Sequence, residues 1–183
     1  MQYILASASP RRRELLSKIL NNFSIFPAQL EERVDFSLSP EQIVCSLAEQ
    51  KCDEVFNKFI SSVVIGCDTI VVYQGKILGK PKSKQDAINT LTMLSGKTHS
   101  VITGVCIQNE NKKLISFNKT EVKFNTLSEK FIFDYVEGGS PMDKAGSYGI
   151  QDEGIVEKYF GSYTNVVGMP VELVEKMLKE VEE

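Results

Sequence analysis

The segment Ser7-Ala8-Ser9-Pro10-Arg11-Arg12-Arg13 sets two hydroxyls and three guanidinium groups within seven residues, after a short apolar run and before a helical pattern. Ser9 suits an N-cap and Pro10 the first helical position, so a helix is predicted to begin here. Three arginines then crowd its first turn, where the positive end of the helix dipole disfavours cations by roughly 0.3–1 kcal/mol each. A bound anion would compensate, because free backbone N–H groups, serine hydroxyls and guanidinium forks together suit a phosphate. The plain alternative is that the arginines splay into solvent, and for a triplet anywhere on a surface helix it carries more weight. Placement behind a strand and across a Ser-Pro cap favours the anion site, with Arg13 left without a role.

Asp68 is the second candidate, because it follows the apolar run Val63-Val64-Ile65-Gly66-Cys67 and precedes Thr69 and another β-rich run. A charge in such a stretch costs several kcal/mol unless it is paired or binds a metal. Gly66 admits close approach of a ligand or of another chain segment. The competing reading of Asp68 is a strand-end residue capping a turn. Partners elsewhere favour chemistry: Glu32 lies in a loop, Lys51 in a helix and Lys80 in the exposed-looking Leu78–Lys82 segment. Two carboxylates could hold magnesium while the lysines and the arginine-rich helix start neutralise phosphates. The small-residue segment Asp143–Gln151 ends on an amide that both donates and accepts, as reading a base edge requires, although an ordinary loop is the reading physics alone favours. Ser95-Gly96-Lys97-Thr98 imitates the end of a phosphate loop, but Leu91 occupies the upstream glycine position and a helix stands where a strand is needed. Gly96 is better explained as a helix stop.

The elements that must carry these residues form one domain over residues 1–183, long enough for a sizeable core. A strand is predicted at Gln2–Ala6, a helix from about Pro10 to Asn21, and a short strand at Phe23–Phe26. A second Ser-Pro helix start at Ser39-Pro40 opens a helix to about Phe59. Strands follow at Ser62–Cys67, Ile70–Tyr73 and Lys76–Leu78, then a helix at Lys84–Leu94. Ser100–Gln108 and Leu114–Phe124 read as an antiparallel hairpin, followed by a helix at Leu127–Val136, glycine-rich loops and a last helix from Pro170. The fold class is α/β, mixed, with a largely antiparallel middle.

With 24 acidic and 21 basic residues there is no global field to attract nucleic acid. No apolar run approaches the roughly 20 residues of a membrane span. Cys45, Cys52, Cys67 and Cys106 lack metal or redox spacing and read as small buried hydrophobes in a reducing compartment, with the cytoplasm as the expected location. With His99 the single histidine, any metal would be a hard cation on carboxylates, magnesium or manganese.

Taken together, these segments resemble the Maf family of nucleoside triphosphate pyrophosphatases. The resemblance runs through Ser7-Ala8-Ser9-Pro10-Arg11-Arg12-Arg13-Glu14-Leu15-Leu16, Ile65-Gly66-Cys67-Asp68-Thr69-Ile70-Val71, Gly79-Lys80-Pro81, Leu94–His99, Asp143–Gln151, and Gly161-Ser162-Tyr163 ahead of Val167-Gly168-Met169-Pro170, in order along the chain. Cys67 replaces the usual alanine. The resemblance implies an elongated, inosine triphosphatase-like sheet flanked by helices in two lobes, with the site in a cleft between them and often a homodimer. It implies cleavage of a nucleoside triphosphate between the α and β phosphates, with a divalent cation required and neither nucleic acid nor membrane as partner. By position, Asp68 matches the family's catalytic base. Ser9, Arg12, Glu32, Lys51 and Lys80 match residues handling phosphate or metal, with Ser7 beside them. Arg11, Thr69 and Gln151 match the positions separating substrate classes and look like the dTTP/UTP class. Whether Asp68 is base, metal ligand or both stays open. The readings held against this one are a non-catalytic nucleotide-binding regulator of cell division, and a phosphatase releasing single phosphates.

Overall fold

The computed structural model describes every residue, Met1–Glu183. Its elements are β1 (Gln2–Leu5), α1 (Pro10–Leu16), β2 (Ser24–Ile25), α2 (Pro40–Phe56), β3 (Ser62–Tyr73), β4 (Lys76–Leu78), α3 (Lys84–Leu94), β5 (Thr98–Gln108), β6 (Lys113–Phe124), α4 (Glu129–Glu137), β7 (Val156–Phe160), α5 (Tyr163–Val167) and α6 (Val171–Glu182), with two 3-10 turns at Ser140–Asp143 and Ala145–Ser147. One seven-stranded sheet runs β2-β1-β3-β5-β6-β7, with β4 added to β3. β1 pairs in parallel with β2 and β3, whereas β3–β4 and β6–β7 are antiparallel, so the sheet is mixed as expected. No helix is long and apolar enough to cross a membrane.

Serine opens four of the helices. The Oγ atoms of Ser9, Ser39, Ser83 and Ser128 accept the N–H groups of Arg12, Gln42, Asp86 and Phe131, satisfying donors that a helix start leaves unpaired. At Ser39 the Gln42 side chain also accepts the Ser39 N–H, completing a capping box. Two helices stop earlier than their apolar periodicity suggests. α1 ends at Leu16 instead of Asn21 because Ser17 donates its hydroxyl to the Glu14 carbonyl and Lys18 and Ile19 tighten to i−3 bonds. α2 ends at Phe56 instead of Phe59 through the same tightening at Lys58 and Phe59.

Backbone contacts divide the chain into two compact units, Met1–Thr69 with Thr103–Asn118 and Thr164–Glu183, and Ile70–Ile102 with Lys119–Tyr163. In the first, strand alternation sorts two cores. Leu5, Val63, Ile65, Cys67 and Val105 pack with Leu15 and Leu16 of α1 and with Val174 and Met177 of α6. Ile4, Ala6, Val64 and Cys106 face the other way, onto Ala48, Cys52 and Val55 of α2. Two glycines seat that helix. A Cβ on Gly66 of β3 would lie 2.5 Å from the Ala48 carbonyl oxygen, and one on Gly104 of β5 would collide with the Val44 carbonyl. Of the two partners foreseen for Gly66, ligand or chain segment, the structure supplies the segment.

The second unit buries the single histidine in its core. His99 sits edge-on to Phe124 and Tyr148, with its Nε2 2.7 Å from the Tyr148 hydroxyl and its Nδ1 without a partner. Burial lowers its pKa from 6.5 to about 4. Gly96, with φ +66°, ends α3 as the sequence suggests. β7 was not foreseen, since the charged, exposed stretch Val156–Phe160 carries no apolar run.

Between pH 6.5 and about 4 the unfolded chain binds a proton at His99 that the native chain refuses. Stability is therefore full above 6.5 and falls on acidification, by about 3 kcal/mol for this residue alone. Urea unfolding across that pH range should show a shallower decline for His99→Gln; parallel declines in the two chains would refute the assignment.

Candidate functional site

β3 was expected as two strands flanking Asp68 and Thr69, but it runs unbroken through both. Alternation therefore sends the two side chains to opposite faces, Asp68 toward α2 and Thr69 toward α1. On the α2 face, Lys51 donates to Asp68 Oδ1 and its Nζ lies 2.9 Å from Glu32 Oε1. Asp68 and Lys51 are 14% and 15% exposed, whereas Glu32 is 44% exposed at the open side. α2 also holds the loop bearing Glu32. Gln50 accepts the Arg33 N–H at 2.9 Å and donates to the Arg33 carbonyl at 2.9 Å, while Glu54 Oε2 accepts the N–H groups of Gln29 and Leu30 at 2.7 and 3.0 Å. About two consecutive turns of α2, Ala48 to Glu54, thus position the acid loop, the ammonium and, through Gly66, the strand carrying Asp68.

On the opposite face, the Arg12 guanidinium donates to the Gly168 carbonyl at 2.8 Å, to Thr69 Oγ1 at 3.1 Å and to Ser7 Oγ at 3.3 Å. Ser7 Oγ also accepts the Ser9 N–H, which ties the turn before α1 to the same network. Thr69 Oγ1 meets Thr103 Oγ1 at 3.0 Å, and Thr103 donates to the Asn165 carbonyl. Gly168, at φ +120°, is what lets the chain present its carbonyl here. Cys67 between the two clusters is fully buried, and burial, acting first, raises its thiol to about 11, so it is a packing residue.

Two carboxylates against one ammonium leave this face of β3 with a net negative charge. Both are hard oxygen donors of the kind magnesium and manganese take. No group of three or more His, Cys, Asp or Glu side chains is arranged to hold a metal ion, so Glu32 and Asp68 could supply only part of a coordination shell. That partial set suits an ion that keeps several of its own waters.

Of the expected residues, Glu32, Lys51 and Asp68 form one cluster and Ser7, Ser9, Arg12 and Thr69 the other. Arg11 is half-buried on the first turn of α1. Lys80 and Gln151 are exposed and belong to the second unit, where Gly146 N–H donates to the Gly79 carbonyl at 3.1 Å and so joins their two loops. Thr103 and the Gly168 carbonyl were not foreseen. A backbone acceptor 156 residues away along the chain from Arg12 leaves no local signal, and Thr103 reads as one more strand residue.

Residues 2–181 match the family described as Maf-like protein. A relative from Bacillus pumilus, named dTTP/UTP pyrophosphatase, is 48% identical over 180 residues, 97% of this chain and 95% of the relative. One of the same name from Thermococcus gammatolerans is 45% identical over 176 residues, 95% and 94% of the two chains. Among solved structures, the Staphylococcus aureus Ham1 protein superposes with a TM-score of 0.54 at 14% identity, covering 100% of both chains. A HAM1 protein from Coxiella burnetii gives 0.51 at 15% identity over 98% and 99%. These two show a shared fold.

Gly66→Ala tests the seat that brings Lys51 to Asp68. The added Cβ meets backbone at 2.5 Å from Ala48 O and 2.9 Å from Cys52 N, so α2 must retreat. A loss of about 1–3 kcal/mol in urea unfolding is expected, and parental stability would overturn the close approach.

Proposed function

We propose, since this chain belongs to the Maf family, that it hydrolyses nucleoside triphosphates between the α and β phosphates, with dTTP and UTP as substrates. The observation carrying this reading is the cluster of Asp68, Lys51 and Glu32 on the α2 face of β3, with the arginine-rich helix start on the opposite face. Water attacks the α-phosphorus, the α–β anhydride bond breaks, and the nucleoside monophosphate and pyrophosphate leave. Asp68 orients the water and takes its proton. Lys51, Lys80, Arg11 and Arg12 stabilise charge on the phosphates and the pyrophosphate, with Ser7 and Ser9 as further phosphate contacts. Arg12 already has neutral partners in Ser7, Thr69 and the Gly168 carbonyl, which hold its guanidinium in one orientation. Arg11, Thr69 and Gln151 are assigned to substrate choice, Gln151 through an amide that matches a pyrimidine edge.

Glu32 and Asp68 would hold a magnesium or manganese ion. Such an ion supplies positive charge on the phosphates and acidifies water. We place the protein in the cytoplasm, a reading supported by its four free thiols, and carry a homodimer as part of the same proposal.

Pyrophosphate release from dTTP, UTP, CTP and 7-methyl-GTP with magnesium or manganese tests the reading. Tight nucleotide binding without turnover would favour a regulator instead, and orthophosphate with a diphosphate product would favour a phosphatase. Asp68→Asn should lower kcat by about a hundredfold or more while the fold survives; near-parental kcat removes its assigned role. EDTA should abolish turnover, and Glu32→Gln should raise the metal concentration needed for half activity by about tenfold. An unchanged metal titration would take Glu32 out of the ligand set.

A further inference from the structure

We propose that Asp152 is a positioning residue, its carboxylate locking the turn that presents Gln151 to the nucleotide base. Asp152 closes the four-residue turn Gly149-Ile150-Gln151-Asp152 twice. Its N–H donates to the Gly149 carbonyl at 3.1 Å, and its Oδ2 accepts the Gly149 N–H at 3.1 Å. The same oxygen accepts the Tyr135 hydroxyl of α4 at 2.5 Å and Ser140 Oγ of the first 3-10 turn at 3.2 Å. One carboxylate oxygen therefore closes the turn and ties two other segments to it. Gly149 is needed for this closeness, because a Cβ there would lie 2.9 Å from Oδ2. Lys144 secures the partner side, donating to the Ser140 carbonyl and, at 3.3 Å, to Ser140 Oγ, and at 2.9 Å to Asp143.

Within this turn Gly149 is buried, Asp152 half-buried and Gln151 exposed. A flexible, exposed amide on a loose turn would lose much of its binding energy to ordering. On a turn fixed at both ends, the backbone part of that cost is met when the chain folds. Burial first, and then the Asp152 carboxylate, raise the Tyr135 pKa, so the hydroxyl remains a donor through the neutral range.

The proposal rests on the reading of Gln151 as a base contact. Turnover of dTTP and UTP by the unmutated chain is measured first, and its absence would sink that underlying reading on its own. In the active enzyme, Asp152→Ala should raise KM for dTTP and UTP about tenfold and narrow their preference over CTP to a similar degree. The kcat should stay within about threefold. Asp152→Asn keeps one acceptor oxygen and should fall between. Gln151→Ala should raise KM likewise, and the double variant should add little to either single change. Hydrogen exchange reads the lock without any nucleotide: the Gly149 amide should exchange faster in Asp152→Ala and in Tyr135→Phe. The proposal is overturned by parental KM and preference in Asp152→Ala, by full additivity with Gln151→Ala, or by unchanged exchange at Gly149.

Discussion

The close approach of α2 to the sheet is the constraint on which the Asp68–Lys51–Glu32 cluster depends. Helices ordinarily keep their backbone away from a sheet by the thickness of the intervening side chains. Here Gly66 and Gly104, on neighbouring strands, remove that layer at two points along the helix. The helix backbone drops onto the strands, and Lys51 reaches Asp68 and Glu32 together. The same helix grips the loop on both sides of Glu32 through Gln50 and Glu54. A single rigid element thus fixes two carboxylates and an ammonium drawn from a strand, a loop and a helix. Bulk at either glycine would shift all three at once, because packed interiors do not yield locally.

Strand alternation then separates neighbouring residues in the middle of β3. Because β1 stops at Leu5 while its parallel neighbour β3 continues to Tyr73, the residues beyond Cys67 have no β1 partner beside them. Asp68 and Thr69 lie just there, one on each face. Ligands of open α/β sheets gather outside the carboxyl ends of strands, and Ser7 to Ser9 leave β1 at that same edge. The geometry explains how adjacent residues serve two networks, an ionic one with Lys51 and a neutral one with Arg12, Thr103 and Gly168.

Much of this was legible from residue types alone. Ser9-Pro10 and Ser39-Pro40 start helices because serine accepts an N–H and proline lacks one, and neither fact needs tertiary context. Asp68 stood out because a charge inside an apolar strand demands partners; of the suspected Glu32, Lys51 and Lys80, the one paired with it is Lys51, which also meets Glu32, while Lys80 belongs to the other unit. What escaped was set by distant chain segments. β3 was read as two pieces because Asp68-Thr69 looks like an interruption until the ion pair with α2 is known. β7 escaped because its pairing with β6, and not its own composition, makes it a strand. Asp152 escaped for a related reason, as its three donors come from segments 3, 12 and 17 residues away.

The arginine triplet changes meaning in the same light. Cations at a helix start are costly because the peptide dipoles repel them. At Arg12 the chain answers this internally, since the Gly168 carbonyl and two hydroxyl oxygens turn negative dipoles toward the guanidinium. A phosphate is therefore not required to keep Arg12 in place, and the site can exist preformed before any anion arrives. Preformation is the useful property. A guanidinium already oriented by neutral acceptors keeps its charge uncompensated, so any anion reaching it would meet an ordered cation instead of having to dismantle an ion pair. On the other face Lys51 is held between two carboxylates. The two faces of β3 thus offer different electrostatics: one ordered cation with its charge uncompensated, and one ion cluster with an excess of negative charge.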